Sequence, residues 1–220
     1  MKYSRDDIRK AMLLYAVTDR AWLKEGESLY SVCREVLEQG ATFLQIREKD
    51  LDENTFEQEA EQLRALCEEK AVPFVVNDSV EIALECNADG VHVGQSDIKG
   101  RDIRAMIGPD KILGISAGTV EEAVAAEKAG ADYIGVGAVF ATSTKKNARN
   151  MTMERLKEIR EAVSIPIVAI GGINGENMLQ LKGSGVDGVA VVSAIFAAED
   201  PGKATAELLK TAGILVNENE

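Results

Sequence analysis

Residues 112–136, ILGISAGTVEEAVAAEKAGADYIGV, contain the pattern that decides the fold. An apolar run from Ile112 to Ser116 is followed by a helical stretch from Thr119 to Ala129, which opens with a Thr-x-x-Glu capping box. A second apolar run follows from Tyr133 to Val136. Apolar runs without polar alternation are typical of parallel strands that are buried on both faces. The segment therefore predicts a strand, a helix and a second strand of one parallel sheet.

The same alternation continues along the whole chain. Strands are predicted at residues 13–18, 42–46, 73–77, 88–93, 112–116, 133–136, 166–170 and 188–192. Helices are predicted at residues 29–39, 56–70, 80–85, 102–107, 119–129, 153–163, 176–182 and 201–212. This order predicts a single α/β domain over residues 1–220, a (β/α)8 TIM barrel with a short polar N-terminal extension and a C-terminal tail. A doubly wound open sheet is the alternative, but it would gather its polar residues at one switch point, whereas here they follow nearly every strand.

The composition limits the partners of the chain. Its 220 residues carry a formal net charge of −12, which argues against binding to nucleic acid or to an anionic membrane. Residues 1–10 lack the apolar core of a signal peptide, and no apolar run reaches the ~18 residues of a transmembrane helix. The three cysteines lack metal-binding spacing and are predicted to be reduced and packed, in a cytoplasmic protein. We expect small-molecule partners; the sequence leaves the oligomeric state, a homo-oligomer included, open.

The most informative loop follows the predicted strand at 133–136. Thr142, Ser143, Thr144 and Lys145 bring three hydroxyl groups, backbone N–H groups and one ammonium to a single strand end. Phosphate and diphosphate groups need several convergent donors and positive charge. The loop therefore predicts a phosphate or diphosphate site. Because the global charge is negative, such a site needs local cations or a metal ion.

A second group of polar residues ends the predicted strand at 42–46. Gln45, Arg47 and Lys49 alternate, so their side chains share one face, which is predicted to point into the barrel. A solvated strand end is the alternative, since charged residues are common on protein surfaces.

Carboxylates follow the next two predicted strands. Asn77 and Asp78 end one strand, and Asp97 follows the other. Mg²⁺ prefers carboxylate oxygens and keeps water and substrate phosphates as its other ligands. Asp78 and Asp97 are therefore predicted magnesium ligands. The alternative is that both aspartates only cap the helices that follow them.

The remaining polar features lie near the last two strands and in the barrel wall. Gly171-Gly172 and Ser193 follow the last two strands, where (β/α)8 enzymes commonly bind phosphate. His92, the only histidine, lies within a predicted strand and fits a hydrogen-bonded core residue better than a catalyst. Aspartates that begin three strands are predicted to be turn residues at the opposite, structural face: Asp89, Asp132 and Asp187.

In this order and spacing the motifs resemble those of the thiamine phosphate synthase family, from Tyr15 to Phe196. The resemblance rests on LQIREK at 44–49, VND at 76–78, GVHVGQSD at 90–97, GIS at 114–116, FATSTK at 140–145 and AIGGI at 169–173. It implies a (β/α)8 transferase that joins hydroxymethylpyrimidine diphosphate to a thiazole phosphate and releases thiamine phosphate and diphosphate. Whether the carboxylated thiazole is the preferred substrate stays open.

The resemblance also implies roles for individual residues. It assigns the pyrimidine diphosphate to Gln45, Arg47, Lys49, Asn77, Ser116 and Lys145. It assigns the thiazole phosphate to Thr142, Ser143, Thr144, Gly172, Val192 and Ser193. It assigns Mg²⁺ to Asp78 and Asp97, and it implies that Arg47, Lys49, Ser116 and Lys145 act in catalysis.

The chain departs from the commoner family pattern in two places. Ala141 stands where proline is frequent, which is expected to loosen the loop. Ala117-Gly118 stands where a bulky residue and a histidine are frequent, which is expected to weaken pyrimidine binding more than the chemistry.

Three rival functions share the predicted fold. A thiazole tautomerase resembles this family but needs a base near the thiazole, and the loop at 116–119 has no histidine. A non-catalytic barrel that binds thiamine precursors would not need both aspartates and every cation. A sugar-phosphate epimerase would need paired acid and base carboxylates across the cavity. Release of diphosphate from both substrates in the presence of Mg²⁺ would separate all of these.

Overall fold

A computed structural model of the chain describes residues 2–141 and 151–217. The strands in this part form a closed parallel barrel, in which each strand pairs with the next along the chain and the last pairs with the first. They are β1 (Leu14–Val17), β2 (Phe43–Ile46), β3 (Phe74–Asn77), β4 (Gly90–Val93), β5 (Ile112–Ala117), β6 (Tyr133–Gly137), β7 (Ile167–Ile170) and β8 (Gly188–Val191). The predicted (β/α)8 barrel is confirmed, and the open-sheet alternative is wrong because β8 closes onto β1.

Helices follow most strands and cover the outside of the barrel. The α-helices are α1 (Arg5–Ala11), α2 (Leu29–Glu38), α3 (Glu53–Glu69), α4 (Val80–Glu85), α5 (Ile103–Ile107), α6 (Val120–Lys128), α7 (Met153–Ala162), α8 (Ser193–Phe196) and α9 (Pro201–Asn217). None of the helices in the described ranges combines the length and the apolar character that crossing a bilayer would require.

Alternate side chains of the strands enter two separate apolar cores. An inner core inside the barrel contains Tyr15, Phe43, Val75, Tyr133 and Val168, one from each of five strands. An outer core lies between the strands and the helices and contains the neighbouring strand residues, among them Leu14, Leu44 and Val76. The inner core fills the barrel toward the N-terminal ends of its strands. The C-terminal ends of the strands therefore remain open, and a functional site can form there.

The N-terminal segment is a helix that closes the barrel, and the prediction of a polar extension is wrong. Ser4 and Asp7 form the capping box of α1, each accepting a hydrogen bond from the other's backbone N–H. Ile8 and Met12 are fully buried in the inner core. The charged residues of α1 obscure this apolar face, whose spacing of i and i+4 is helical.

Two other predicted elements differ from the structure. The predicted helix at 176–182 is a short 3₁₀ turn, Met178–Leu181, because the Asn174 side chain accepts the N–H groups of Glu176 and Asn177 and holds a turn there. The last helix does not end at Ala212 but continues to Asn217, and it buries Leu215 instead of leaving a tail.

The aspartates that precede three strands are structural turn residues, as predicted. Each carboxylate accepts the backbone N–H at or near the start of the preceding strand: Asp89 from Phe74 at 3.0 Å, Asp132 from Leu113 at 2.8 Å and Asp187 from Ile167 at 2.7 Å. Each also pairs with a cation, namely Lys2, Arg104 and Arg160 respectively. These contacts connect adjacent β/α units at the N-terminal face of the barrel.

Candidate functional site

A cavity of about 500 Å³ opens at the C-terminal ends of the strands. Every predicted site residue that the structure describes lines it: Gln45, Arg47, Lys49, Asn77, Asp78, Asp97, Ser116, Gly172, Val192 and Ser193. Thr142, Ser143, Thr144 and Lys145 lie outside the described residues. Residues from six strand ends therefore converge on one cavity, although they are up to about 150 positions apart in the chain.

The end of β2 supplies the cationic side of the cavity. Gln45, Arg47 and Lys49 all line it, as their alternation predicts, and exposure increases along the strand end from the buried Gln45 to the exposed Lys49. The backbone N–H of Arg47 donates to the Thr18 hydroxyl at 2.9 Å, and the N–H of Thr18 donates to the Gln45 carbonyl at 3.0 Å. These bonds extend the pairing of β1 and β2 and hold the strand end in place.

Glu48 lies between the two cations in the chain but points away from the cavity. Its carboxylate accepts a hydrogen bond from Arg20 at 2.7 Å, and Arg20 also donates to Glu59 at 2.5 Å. Arg20 belongs to a 3₁₀ turn, Arg20–Trp22, that follows β1. Burial raises the pKa of Glu48, although Arg20 opposes the shift. Glu48 thereby joins the cationic strand end to the neighbouring loop.

Two carboxylates face each other beside these cations. Asp78 has a left-handed backbone with φ of 64°, and its N–H donates to the His92 carbonyl at 2.8 Å. The Asp97 carboxylate accepts the N–H of Gly94 at 2.8 Å. Neither caps a helix, because Ser79 caps α4 and Asp102 caps α5. The helix-capping alternative for both aspartates is therefore wrong.

The electrostatics of this pair fit a cation. Burial, and then the nearby Asp97 carboxylate, raise the pKa of Asp78, while Asn77 and Lys49 oppose the rise. A divalent cation between the carboxylates would remove their mutual repulsion. Among the described residues no cluster of three or more His, Cys, Asp and Glu side chains forms a metal site. One or two carboxylates, with the other positions left to water and phosphate oxygens, are what Mg²⁺ commonly takes.

The loop after β7 packs tightly against the loop after β6. Gly171 and Gly172 have φ of 102° and 67°, and a Cβ on Gly172 would lie 2.3 Å from the Ala141 carbonyl oxygen. The N–H of Phe140 donates to the Gly171 carbonyl at 3.0 Å. Glycine is therefore required here for the approach of two backbones, in addition to any approach of a ligand.

The loop after β8 begins the four-residue helix α8. Val192 occupies its N-cap position without a side-chain cap, and Ser193 is its first residue. Both line the cavity, opposite the carboxylates in the order of the strands. The first N–H groups of a helix have no acceptor within it, so this turn can donate to a ligand.

Sequence reasoning missed several residues that line the cavity. Gln95 donates to the Ser116 carbonyl at 2.7 Å, and the Glu122 carboxylate accepts the N–H of Gly118 at 2.6 Å. The Thr119 hydroxyl accepts the N–H of Glu122, but the expected return bond of a capping box is absent from the described contacts because Glu122 binds Gly118 instead. No sequence pattern marked Glu122 as anything but a helix cap.

A chain of hydrogen bonds crosses the barrel along the base of the cavity. Gln45 Nε2 donates to the Tyr15 hydroxyl at 2.6 Å, and the hydroxyls of Tyr15 and Tyr133 are 2.8 Å apart. His92 Nδ1 lies 3.0 Å from the Tyr133 hydroxyl, and His92 Nε2 lies 2.9 Å from the Ser116 hydroxyl. We call these five residues the hydrogen-bond chain. The expectation that His92 is a hydrogen-bonded core residue is confirmed.

Comparison with known proteins identifies the family. The family model described as thiamine monophosphate synthase matches residues 14–195, which is most of the chain. The chain belongs to this family. The resemblance inferred from the six motifs is thereby confirmed.

Known members of the family are similar to the chain over nearly their full length. The thiamine-phosphate synthase of Clostridium tetani is 48% identical over 195 residues, which cover 89% of this chain and 93% of that protein. The thiamine-phosphate synthase of Clostridioides difficile is 47% identical over 199 residues, which cover 90% and 94%.

Solved structures agree with this assignment. The thiamine phosphate pyrophosphorylase of Pyrococcus furiosus is 42% identical and superposes with a TM-score of 0.86, over 95% of this chain and 99% of that structure. The (S)-3-O-geranylgeranylglyceryl phosphate synthase of Thermoplasma acidophilum has a TM-score of 0.67 at 13% identity, over 94% and 96% of the chains, and shows the shared fold alone.

Proposed function

We propose that the chain is a thiamine phosphate synthase. It joins 4-amino-2-methyl-5-hydroxymethylpyrimidine diphosphate to a thiazole phosphate, or its carboxylated form, and releases thiamine phosphate and diphosphate. The observation that carries the proposal is the meeting of Arg47, Lys49, Asp78 and Asp97 at one cavity in a member of this family. That combination suits a departing diphosphate, which needs cations and a metal ion.

The diphosphate end of the site lies between β2 and the loop after β4. Asp78 and Asp97 would hold Mg²⁺, which, when bound, supplies positive charge that neutralises the leaving diphosphate. Arg47 and Lys49 donate hydrogen bonds and positive charge to the same group from the other side. The raised pKa of Asp78, caused by burial and by Asp97, supports a cation at this position.

The pyrimidine ring binds deeper in the cavity. Gln45 and Ser116 line the cavity and would contact the ring, and Asn77 precedes Asp78 at the end of β3. Gln45 is only 4% exposed, so hydrogen bonds between its amide and a ligand would be shielded from water. These residues position the ring so that its exocyclic carbon faces the second substrate.

The thiazole phosphate binds on the side of β7 and β8. Gly172 and Val192 offer backbone groups and Ser193 offers its hydroxyl, and Thr142, Ser143 and Thr144 are proposed to add further donors. The second substrate would then lie across the cavity from the departing diphosphate.

The reaction needs positioning and charge stabilisation more than proton transfer. The bond from the exocyclic carbon to the diphosphate oxygen breaks first, its electron pair leaves with the diphosphate, and the thiazole nitrogen then donates a pair to the pyrimidine-stabilised cation. Arg47, Lys49 and Lys145 stabilise the departing anion. The absence of an acid–base pair from this scheme agrees with His92, whose two ring nitrogens lie within hydrogen-bond distance of the Tyr133 and Ser116 hydroxyls.

An assay with both substrates and Mg²⁺ tests the proposal through release of diphosphate and formation of thiamine phosphate. Lys145→Ala should lower turnover by about two orders of magnitude, as expected when a key electrostatic donor is lost, and the matched variant Lys146→Ala should have little effect. A parent protein that binds the substrates without forming product would instead support a non-catalytic binding role, and isomerisation of the thiazole alone would support a tautomerase.

Ser193→Ala is the sharper test of the thiazole end. It should raise the Michaelis constant for the thiazole phosphate and leave that for the pyrimidine diphosphate nearly unchanged. Replacement of Gly172 is a less specific test, because a side chain there collides with the Ala141 carbonyl and with Phe140. An equal effect of Ser193→Ala on both constants would contradict the assignment.

The state of the cysteines supports the proposal that the enzyme is cytoplasmic. Cys33, Cys67 and Cys86 are free and buried, which suits a reducing compartment.

A further inference from the structure

Four members of the hydrogen-bond chain line the cavity, namely Gln45, Tyr15, His92 and Ser116, and Tyr133 lies buried behind them. Gln45 and Ser116 are the two ends, and both are proposed ligands of the pyrimidine. Tyr15 and Tyr133 are 1% and 0% exposed, and burial raises the pKa of both phenols, so each keeps exactly one proton to donate.

Counting protons restricts the directions that these hydrogen bonds can take. With Gln45 Nε2 as the donor to Tyr15, the consistent arrangement has the Tyr15 proton on the bond to Tyr133 and the Tyr133 proton on the bond to His92 Nδ1. A neutral imidazole that accepts at Nδ1 carries its proton on Nε2 and donates it to Ser116. Reversing one bond alone would leave the Tyr15 proton without an acceptor in a buried site, which is costly.

The backbone is built around this arrangement. A Cβ on Gly114 would lie 2.2 Å from the Tyr133 ring and 2.5 Å from His92 Nδ1, and a Cβ on Gly135 would lie 3.1 Å from the His92 ring. Glycine at both positions of β5 and β6 therefore makes the room in which Tyr133 and His92 meet.

We propose that the hydrogen-bond chain selects an aminopyrimidine by fixing which groups Gln45 and Ser116 present to the substrate ring. With its Nε2 committed to Tyr15, Gln45 presents its amide oxygen, an acceptor. With its oxygen committed to His92, Ser116 presents its hydroxyl proton, a donor. The amino group of the pyrimidine would donate to the Gln45 oxygen, and a ring nitrogen would accept the Ser116 proton. Tyr15, Tyr133 and His92 act as positioning residues, and this inference rests on the proposed function.

The same geometry disfavours a ring with the opposite pattern. The 4-oxo analogue replaces the amino donor by a carbonyl acceptor and carries an N–H where the aminopyrimidine has a bare nitrogen. Binding it would require every hydrogen bond of the chain to reverse, including a turned Gln45 amide and the other His92 tautomer. The discrimination between the two rings then equals the free energy needed to reverse the hydrogen-bond chain.

Tyr133→Phe tests the proposal, because it removes the central hydroxyl and keeps the ring. We expect the ratio of kcat/KM between the 4-amino and the 4-oxo pyrimidine diphosphates to fall by about tenfold or more. The Michaelis constant for the pyrimidine should change and that for the thiazole phosphate should not. Tyr3→Phe is the matched control, since its hydroxyl lies against Asp89 at the opposite face. An unchanged ratio in Tyr133→Phe, with activity lowered equally for both analogues, would overturn the proposal.

The tautomer of His92 provides a second measurement. His92 is the only histidine, so a ¹⁵N-histidine label reports on one imidazole. The proposal requires the Nε2–H tautomer in the parent protein with the aminopyrimidine diphosphate bound, and a mixture of tautomers in Tyr15→Phe. The Nδ1–H tautomer in the parent complex would overturn it. This spectrum can be recorded without turnover. A parent protein that forms no thiamine phosphate would therefore contradict the proposed function, whereas the tautomer of His92 would still test the proposal on the hydrogen-bond chain.

Discussion

Single side chains show how the site concentrates charge. Asp78 sits next to the Asp97 carboxylate in the wall of the cavity, and its pKa is raised first by desolvation there and second by Asp97. Two carboxylates kept close at such a cost are expected to have a function, because structure alone would be served better by neutral residues.

Asp78→Asn should therefore lower activity without lowering stability. Turnover should fall by about two orders of magnitude or more and should need more Mg²⁺, while the free energy of unfolding in EDTA should stay equal or rise because a repulsion is lost. Steady-state kinetics over a magnesium series and urea unfolding measure the two effects. Asp102→Asn is the control, since asparagine caps α5 as well as aspartate does. Full activity of the parent enzyme in excess EDTA would contradict the magnesium assignment.

The buried Glu48 side chain predicts how the stability of the fold depends on pH. Its side chain is 2% exposed, and its Oε1 has no hydrogen-bond partner among the described residues. Its pKa in the folded state is raised by burial, so the folded protein holds the proton more tightly than the unfolded chain does. Stability contributed by this group is thus present at low pH and is lost as pH rises from the unfolded pKa through the raised folded pKa.

Glu48→Gln should remove this loss. The free energy of unfolding of the variant, relative to the parent, should increase between about pH 4 and pH 7, since the unfolded pKa of a glutamate is about 4.3. Urea unfolding at the two pH values measures the change. Glu61→Gln, on the exposed face of α3, should show no such trend. A relative stability that falls as pH rises would show that Arg20 outweighs burial.

At the scale of secondary-structure elements, the aspartates at the N-terminal face join each unit to the one before. Asp187 accepts the Ile167 N–H at the start of β7 and pairs with Arg160 of α7 and with Arg9 of α1. One carboxylate therefore ties a strand, its preceding helix and the N-terminal helix together.

Asp187→Ala should destabilise the fold by about 2–4 kcal/mol, because it leaves a buried N–H and two arginines without their acceptor. Chemical denaturation of the purified variant measures this loss. Glu61→Ala removes a carboxylate from an exposed helix face and should cost less than about 0.5 kcal/mol. Comparable losses of unfolding free energy in the two variants would mean that the contacts of the Asp187 carboxylate do not stabilise the fold.

The N-terminal helix is a structural element of the barrel, and two isoleucines test this. Ile8→Ala should cost about 2–4 kcal/mol of unfolding free energy, because Ile8 is fully buried in the inner core beneath Tyr15 and Phe43. Ile214→Ala, at a position 49% exposed on α9, should cost far less. Equal destabilisation would contradict the role of α1 in closing the barrel.

The extent to which the sequence predicts the fold differs between elements. The strands were predicted within one or two residues, because parallel strands buried on both faces have apolar runs that no amphipathic pattern interrupts. Helix α1 was missed because one turn of buried Ile8 and Met12 is hidden among charges. The prediction of a helix at 176–182 was wrong because the Asn174 side chain binds the backbone N–H groups of Glu176 and Asn177.

At the scale of the whole molecule, the barrel explains which site residues the sequence could predict. Residues that follow strands, such as Arg47 and Asp78, carry recognisable chemistry and converge because all strands point one way. Tyr15 and Tyr133 lie within strands and look like ordinary core residues, and only the register of β1 to β6 brings their hydroxyls together. Their role depends on pairwise distances that no local pattern contains.

The 3₁₀ turn at Arg20–Trp22 has a practical consequence for measuring the enzyme. Trp22 is the only tryptophan of the chain and is 47% exposed. Arg20, two residues earlier, is fixed to Glu48, which stands between the two cations proposed to receive the diphosphate. When tryptophan is excited selectively, the fluorescence of the protein therefore comes from one indole, two residues from the arginine that contacts the substrate-binding strand end. A titration read at that emission would follow occupancy of the diphosphate position in the unlabelled enzyme, before any product is made.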